Sequence, residues 1–324
     1  MSHQSKLLGL LLLLVPVSGV IALGMGSSDT GIYELFSFLS GDSDAFTKTI
    51  LTLRAQRAVD GFIVGALLSM AGALLQVLLR NPLAEPYILG ISGGAGVATL
   101  LGLLLGLSSS WSPFTSFAGA LISTFLVFSV SYSNGSWTTE RLLLTGIVIA
   151  AGWSAVISFL LSISNQQQMQ GMLFWLMGDL SQSSHTITGL IALVLAFSFS
   201  WAISRPLNLL VRGQQQAAAL GENIQLLRMI IFILAAAMTA TAVSMAGSIG
   251  FVGLIIPHSL RLIGLRDYRL LLPAAILSGG SFLVLADAMA RTLLAPQQIP
   301  VGVITAMLGV PIFLFLLQRQ YKSR

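Results

Sequence analysis

Nine strongly apolar runs, each close to the length that carries a helix across a bilayer, leave this chain few folds to choose from. An α-helix rises 1.5 Å per residue, so about 20 apolar residues cross a hydrocarbon core roughly 30 Å thick. On that rule spans fall near Leu7–Gly26, Ala58–Leu79, Ile88–Leu107, Phe114–Tyr132, Leu142–Ile163, Thr186–Ser204, Leu226–Gly247, Leu271–Arg291 and Val301–Leu317. A shorter apolar helix, Gly250–Ile263, adds a tenth. Backbone N–H and C=O groups in lipid must be satisfied within the protein, and a helix does this within each span. The expectation is an all-α polytopic membrane protein of about ten transmembrane helices, with residues 1–324 as one transmembrane domain.

Charge supports this reading. Only 8% of residues are charged, against about 25% in a typical soluble domain. A mean hydropathy of +0.90 leaves too little polar surface to cover a water-soluble body. The formal net charge of +5 does not suggest nucleic acid, because no basic cluster alternates with aromatic residues. It fits the excess of Lys and Arg on cytoplasmic loops. With the N-terminus inside, Lys6, Arg80, Arg141, Arg205, Arg212, Arg228, Arg261, Arg266, Arg269, Arg319, Lys322 and Arg324 lie inside, and Lys48, Arg54, Arg57 and Arg291 outside. Leu7–Gly26 is longer than a typical signal-peptide core, so a retained first span is expected.

Several chemistries are excluded. The chain has no cysteine, hence no disulfide, thiolate catalysis or cysteine metal site. None of Lys6, Lys48 and Lys322 follows a glycine-rich loop, so there is no Walker A site, and an ATP-driven process would need another subunit to bind ATP and Mg. No metal-ligand spacing surrounds His258 and no Ser–His–Asp arrangement is legible, so no catalytic residue, metal site or cofactor is assigned.

One polar island stands out in the C-terminal half, Arg212–Arg228, RGQQQAAALGENIQLLR. Gln214–Leu220 reads as a two-turn helix of good helix formers, with Gly221 placed to cap it in the left-handed conformation. It is an ordinary loop between spans or a handle for a soluble partner.

Other polar positions carry two readings each. Gly61, Gly65, Ser69 and Ala73 are small residues four apart, a pattern that lets helix backbones approach closely. Ser154, Ser158 and Ser162 share one helical face, which lines a wet pathway or hydrogen-bonds a neighbouring helix. Thr241, Ser244 and Ser248 repeat the pattern. Asn165–Gln170 leaves the membrane, and Met172–Leu180 begins a short, re-entrant helix. Asp60 lies three residues from Arg57 and Asp287 four from Arg291, which points to local neutralisation, with proton coupling as the alternative. Gly26–Ile50, with Asp29, Glu34, Asp42 and Asp44, is the main outside segment.

Three stretches occur together, in order: NPLAEPYILGISGGAG at Asn81–Gly96, GFVGLIIPHSLRLIGLRDYRLLLP at Gly250–Pro273, and ADAMARTLLAPQQIPVG at Ala286–Gly302. They resemble the FecCD-type (BtuC-like) permeases, the membrane subunits of ATP-binding-cassette importers for iron–siderophores, haem and cobalamin. The resemblance runs from Arg54 to Leu317. It implies ten spans per subunit, a homodimer or pseudo-dimer, two cytoplasmic ATP-binding subunits, a periplasmic or lipid-anchored substrate-binding protein, and the bacterial inner membrane.

Roles follow from the match. Gly213, Gln214, Gln215, Gln216, Ala217, Ala218, Ala219, Leu220 and Gly221 correspond to the coupling helix that seats on the ATPase. Arg54, Arg57 and Arg291 correspond to outer arginines that dock the binding protein's glutamates. Ser154, Ser158, Ser162 and Met172 fall on elements that line the pathway. Three departures stand out: Gln56 where proline is usual, Ala218 and Ala219 where an arginine is usual, and Gln298 where an acidic residue is usual. The cargo implied is a large metal chelate, with ferric siderophore as the broadest class and cobalamin or haem beside it. The alternative class is a gradient-driven secondary transporter, for which Asp60 and Asp287 are the candidate carboxylates.

Overall fold

Lipid-length apolar helices are what the computed structural model shows, over residues 3–26, 34, 37, 40, 44–132, 138–181 and 186–322. Thirteen α-helices and no strand are found among them: α1 His3–Gly24, α2 Ala45–Leu78, α3 Ile91–Leu104, α4 Ser112–Ser131, α5 Thr139–Ile163, α6 Gln166–Leu176, α7 Thr186–Ala202, α8 Ser204–Arg212, α9 Gln214–Ala219, α10 Ile224–Ala246, α11 Val252–Leu262, α12 Tyr268–Thr292 and α13 Val301–Lys322. Helices α1, α2, α4, α5, α10 and α12 are each long and apolar enough to cross a membrane. Helices α7 and α8 form a seventh span bent by 56°. Pro206, in the first turn of α8, has no N–H to offer the Ala202 carbonyl, which accounts for the break. Shorter apolar helices at Ile91–Leu104, Val252–Leu262 and Val301–Leu316 bring the segments to the ten expected.

Helix α2 is the core. Of its most apolar stretch, 94% is buried. It packs on α10, α11 and α12, and it can approach α12 closely because the facing residues are small. A Cβ on Gly65 would lie 2.2 Å from the Gly279 carbonyl oxygen, and one on Gly72 would lie 1.8 Å from that of Gly253. The small-residue row at Gly61, Gly65, Ser69 and Ala73 therefore serves packing. Such backbone proximity replaces the hydrophobic drive that lipid cannot supply.

Two boundaries differ from the sequence expectation. Helix α2 begins thirteen residues before Ala58, because the Asp44 carboxylate caps it by accepting from the Thr47 N–H at 3.1 Å. An apolar-run rule registers only the lipid-length part. Helix α6 begins at Gln166, within the stretch expected to leave the membrane. The Asn165 side chain caps it, accepting from the Gln168 N–H at 2.9 Å. Of the outside segment 26–50, Asp29 and Asp42 lie outside the described residues.

The two motif stretches around residues 80 and 250 meet in space. Gln76 Nε2 donates to the carbonyls of Ala84, Gly253 and Leu254 at 3.4, 3.2 and 3.1 Å. The Ile249 N–H donates to the Tyr87 hydroxyl at 2.8 Å, and the Phe251 N–H donates to the Glu85 carboxylate. Ser92 Oγ donates to Ser248 Oγ at 3.0 Å. This polar clasp satisfies backbone groups where α10 gives way to α11, a necessity where little water reaches.

Candidate functional site

The polar island folds as its sequence proposes. Helix α8 buries Leu207 and Leu210 and exposes Arg205 and Arg212. After Gly213 the chain turns into α9. Gly221 has φ +89°, its N–H donates to Ala218 O at 3.0 Å, and the Glu222 N–H donates to Ala217 O at 3.1 Å. That pair of bonds is a Schellman cap, and glycine takes the left-handed position without steric cost. Ala217 is fully buried, while Gln215, Gln216, Ala218, Ala219 and Leu220 are exposed. Leu220, at 67% exposure, is an outward apolar residue at the tip of a polar loop.

The seat of this helix is tied to the bundle. Asn208 Nδ2 donates to Asp267 Oδ1 at 2.7 Å, and the Tyr268 N–H donates to Asn208 Oδ1 at 3.0 Å. The first turn of α12 is therefore fixed to α8. Along α2, Arg57 and Gln76 are about 28 Å apart at the helical rise, and Gln76 lies beside Arg212 and Gly213, so α2 runs from the α8–α9 turn to the opposite end.

At that opposite end sit Arg54, Arg57 and Arg291. Asp287 is their centre. Arg57 reaches Asp287 Oδ1 with Nε at 2.9 Å and Nη2 at 2.8 Å, and Arg291 Nε meets Oδ2 at 3.0 Å. Arg57 Nη1 also donates to Gln298 Oε1 at 3.1 Å, and its Nη2 lies 3.8 Å from Asp179. Arg54 Nη1 donates to the Leu23 carbonyl at 2.8 Å. Arg291 donates to the Met25 and Ala22 carbonyls at 3.3 and 3.1 Å. Carbonyls in the last turn of a helix lack intrahelical partners, and the negative end of its dipole favours cations. Two guanidiniums thus hold the C-terminus of α1.

This corrects part of the sequence reading. Arg54 and Arg291 are 5% and 4% exposed, with their heads directed at the α1 carbonyls rather than outward. Arg57 and Gln298 lie nearer the surface. The expected Asp287–Arg291 pair is present, but Arg57 turns to Asp287 rather than Asp60. Asp60 is fully buried and accepts from Thr186 Oγ1 at 2.6 Å. The hub role of Asp287 was visible only as an i,i+4 pair. Its partner 230 residues away leaves no local signal.

The serine face of α5 is exposed on this chain, and each hydroxyl is satisfied within its own helix. Ser154 donates to Ala150 O at 3.0 Å, Ser158 to Ser154 O at 2.9 Å and Ser162 to Phe159 O at 2.7 Å. The opposite side is anchored, since Trp153 Nε1 donates to Ser123 Oγ at 2.8 Å and Ser123 Oγ to Gly90 O at 2.7 Å. Met172 departs from expectation. It is fully enclosed, packing with Val97, Leu100 and Leu160, while Leu173 and Phe174 face outward. Thr241 and Ser244 bond back to their own helix, so only Ser248 of that row crosses to another element. Among the described residues no group of three His, Cys, Asp or Glu could hold a metal ion.

Comparison with known proteins agrees with this architecture. Residues 11–319 match the FecCD transport family. The cobalamin import system permease protein BtuC of Halobacterium salinarum is 40% identical over 275 residues, covering 82% of this chain and 72% of that one. The hemin transport system permease protein HmuU of Yersinia pestis is 35% identical over 327 residues, covering 98% and 97%. Among solved structures, an inward-facing metal-chelate type ABC transporter superposes with a TM-score of 0.86 at 30% identity, covering 98% of this chain and 99% of that one. Fold, motif order and family match converge on one assignment: this chain belongs to the FecCD transport family.

Proposed function

We propose that this chain is the membrane-spanning permease of an ATP-driven importer, carrying a large metal chelate across the bacterial inner membrane. ATP hydrolysis belongs to separate subunits. The observation that carries the proposal is α9, a capped helix that exposes Ala218, Ala219 and Leu220 at the arginine-rich end of the bundle. Closure of two ATP-binding subunits would push α9, and α8 would pass the displacement to α12 through Asn208, Asp267 and Tyr268. The close α2–α12 packing makes that pair a stiff strut, the kind of element that converts a local push into a rigid-body shift.

The proposed cargo is a metal chelate of the cobalamin or haem kind, supported by the relatives named for those chelates, with ferric siderophore as the neighbouring class. A second copy of the chain would close the pathway, with Ser154, Ser158 and Ser162 facing it. A wide conduit of self-satisfied hydroxyls and few charges would let a bulky chelate pass without tight binding. The outer end, with Arg57 nearest the surface, is the proposed seat of a substrate-binding protein. Exposed guanidinium–carboxylate pairs steer such docking more than they tighten it.

Cells lacking only this chain, fed labelled cobalamin, haem and ferric siderophores in parallel, test the cargo. Loss of one uptake, restored by the intact chain, supports the proposal. Uptake unchanged for all three would refute the cargo class.

A further inference from the structure

Beside the coupling helix lies a cavity of about 380 Å³ lined by Gln76, Arg80, Arg212, Gly213, Arg261 and Tyr268. Three arginines line one space. The ion pairs among the described residues all involve Asp287 or Asp179 at the other end of the bundle, and none reaches Arg80, Arg212 or Arg261. Arg261 Nη1 donates to the Tyr268 hydroxyl at 3.3 Å, while its Nη2 is buried with no partner. A buried guanidinium nitrogen without an acceptor is costly, and a cluster of like charges compounds the cost unless an anion joins it.

The backbone adds an independent observation. Helix α2 ends in a Schellman cap, with the Arg80 N–H donating to Val77 O at 3.2 Å and the Asn81 N–H to Gln76 O at 3.2 Å. Arg80 fills the left-handed position at φ +48°, where glycine is the usual residue. An arginine held in that strained conformation keeps its charge at the cavity mouth, and such strain persists where a site requires it.

We propose that this cavity is a socket for an acidic side chain of the ATP-binding subunit, gripped by Arg80, Arg212 and Arg261. The assignment rests on reading α9 as the ATPase contact. Arg212 and Gly213 lead directly into α9, so a protein seated on α9 covers the cavity mouth. Val77, Pro82 and the exposed Val211 line the cavity beside the arginines, and an apolar seal around a charged contact is how protein interfaces exclude water. Guanidinium forks fit a carboxylate with two parallel hydrogen bonds.

The test uses the purified permease and the ATP-binding subunit that co-purifies with it, with affinity measured across a salt series. Arg80→Gly removes the charge while supplying the residue the backbone prefers, so folding is preserved. Arg80→Gly and Arg261→Gln are expected to weaken binding about tenfold or more and to flatten its salt dependence. Arg266→Gln and Arg269→Gln, exposed and outside the cavity, should leave both unchanged. Affinity within about twofold of wild type in both cavity variants, with unchanged salt dependence, overturns the socket. Native mass spectrometry in phosphatidylglycerol nanodiscs reads the other source of an anion. Loss of bound lipid from the variants with ATPase affinity intact would assign the cavity to a headgroup and overturn the proposal. Wild-type permease that binds no ATP-binding subunit overturns the coupling reading itself, and that outcome is recognised because it precedes any substitution.

Discussion

Arg57 holds Asp287 across 230 residues of sequence, with Nε and Nη2 at 2.9 and 2.8 Å from the same carboxylate oxygen. Arg291 takes the other oxygen at 3.0 Å. One carboxylate therefore bridges two guanidiniums and pins α2 to α12, while Arg54 and Arg291 hold the end of α1. Asp287→Asn should cost about 3–5 kcal/mol, the cost of leaving buried charge uncompensated. Thermal unfolding in detergent measures it. Combining Asp287→Asn with Arg291→Met should recover part of the loss, because the second change removes a stranded charge.

Backbone proximity between α2 and its neighbours leads to a second expectation. Gly72→Ala and Gly65→Ala place a methyl group within 1.8 and 2.2 Å of carbonyl oxygens on adjoining helices. Each should destabilise by about 1–3 kcal/mol or more, since a packed core resists added volume. Gly19→Ala on α1 meets nothing within 4 Å and should be neutral or stabilising by about 0.5–1 kcal/mol. Equal melting temperatures for Gly72→Ala and Gly19→Ala would contradict the packing assignment.

The Schellman cap of α9 predicts a functional defect out of proportion to stability. Gly221→Ala forces a Cβ into φ +89° and should cost about 1 kcal/mol locally, fraying the last turn of α9. Global unfolding should move little, while transport per ATP hydrolysed should fall. Gln215→Ala, on the exposed face, is the control for side-chain loss with the cap kept.

Asp44 gives the start of α2 a pH dependence. Hydrogen bonds from Thr47 hold its carboxyl below the ordinary carboxylate range. A depressed folded-state pKa contributes stability that is present above the unfolded value, about 3.9, and is lost as pH falls through the folded value. Protection against hydrogen exchange over residues 45–50, taken relative to the intrinsic rate at each pH, should therefore fall below about pH 4. Asp44→Ala should show fast exchange at neutral pH and no such step.

Much of this architecture was legible because bilayer physics writes itself into sequence as run length. The apolar runs located the spans, Gly221 announced its cap, and Gly65 with Ser69 announced a close crossing. What escaped was non-local. Met172 looks like any outward methionine until Leu100 and Leu160 enclose it, and Asp60 looks like a partner for Arg57 until α12 brings Asp287 nearer. Arg54 and Arg291 read as outward arginines because nothing in their neighbourhood says that α1 ends against them. The start of α2 was missed because Asp44 is a capping signal, which an apolar count does not register.

The measurement that tests the coupling account most directly is uptake into proteoliposomes holding this chain, its ATP-binding subunit and the binding protein, with labelled cobalamin or haem outside. The expected result is uptake that requires ATP, and that vanishes when Gln214–Leu220 is rewritten as a glycine–serine loop while the folded chain persists. Uptake that continues without ATP, or survives that rewrite, would contradict it.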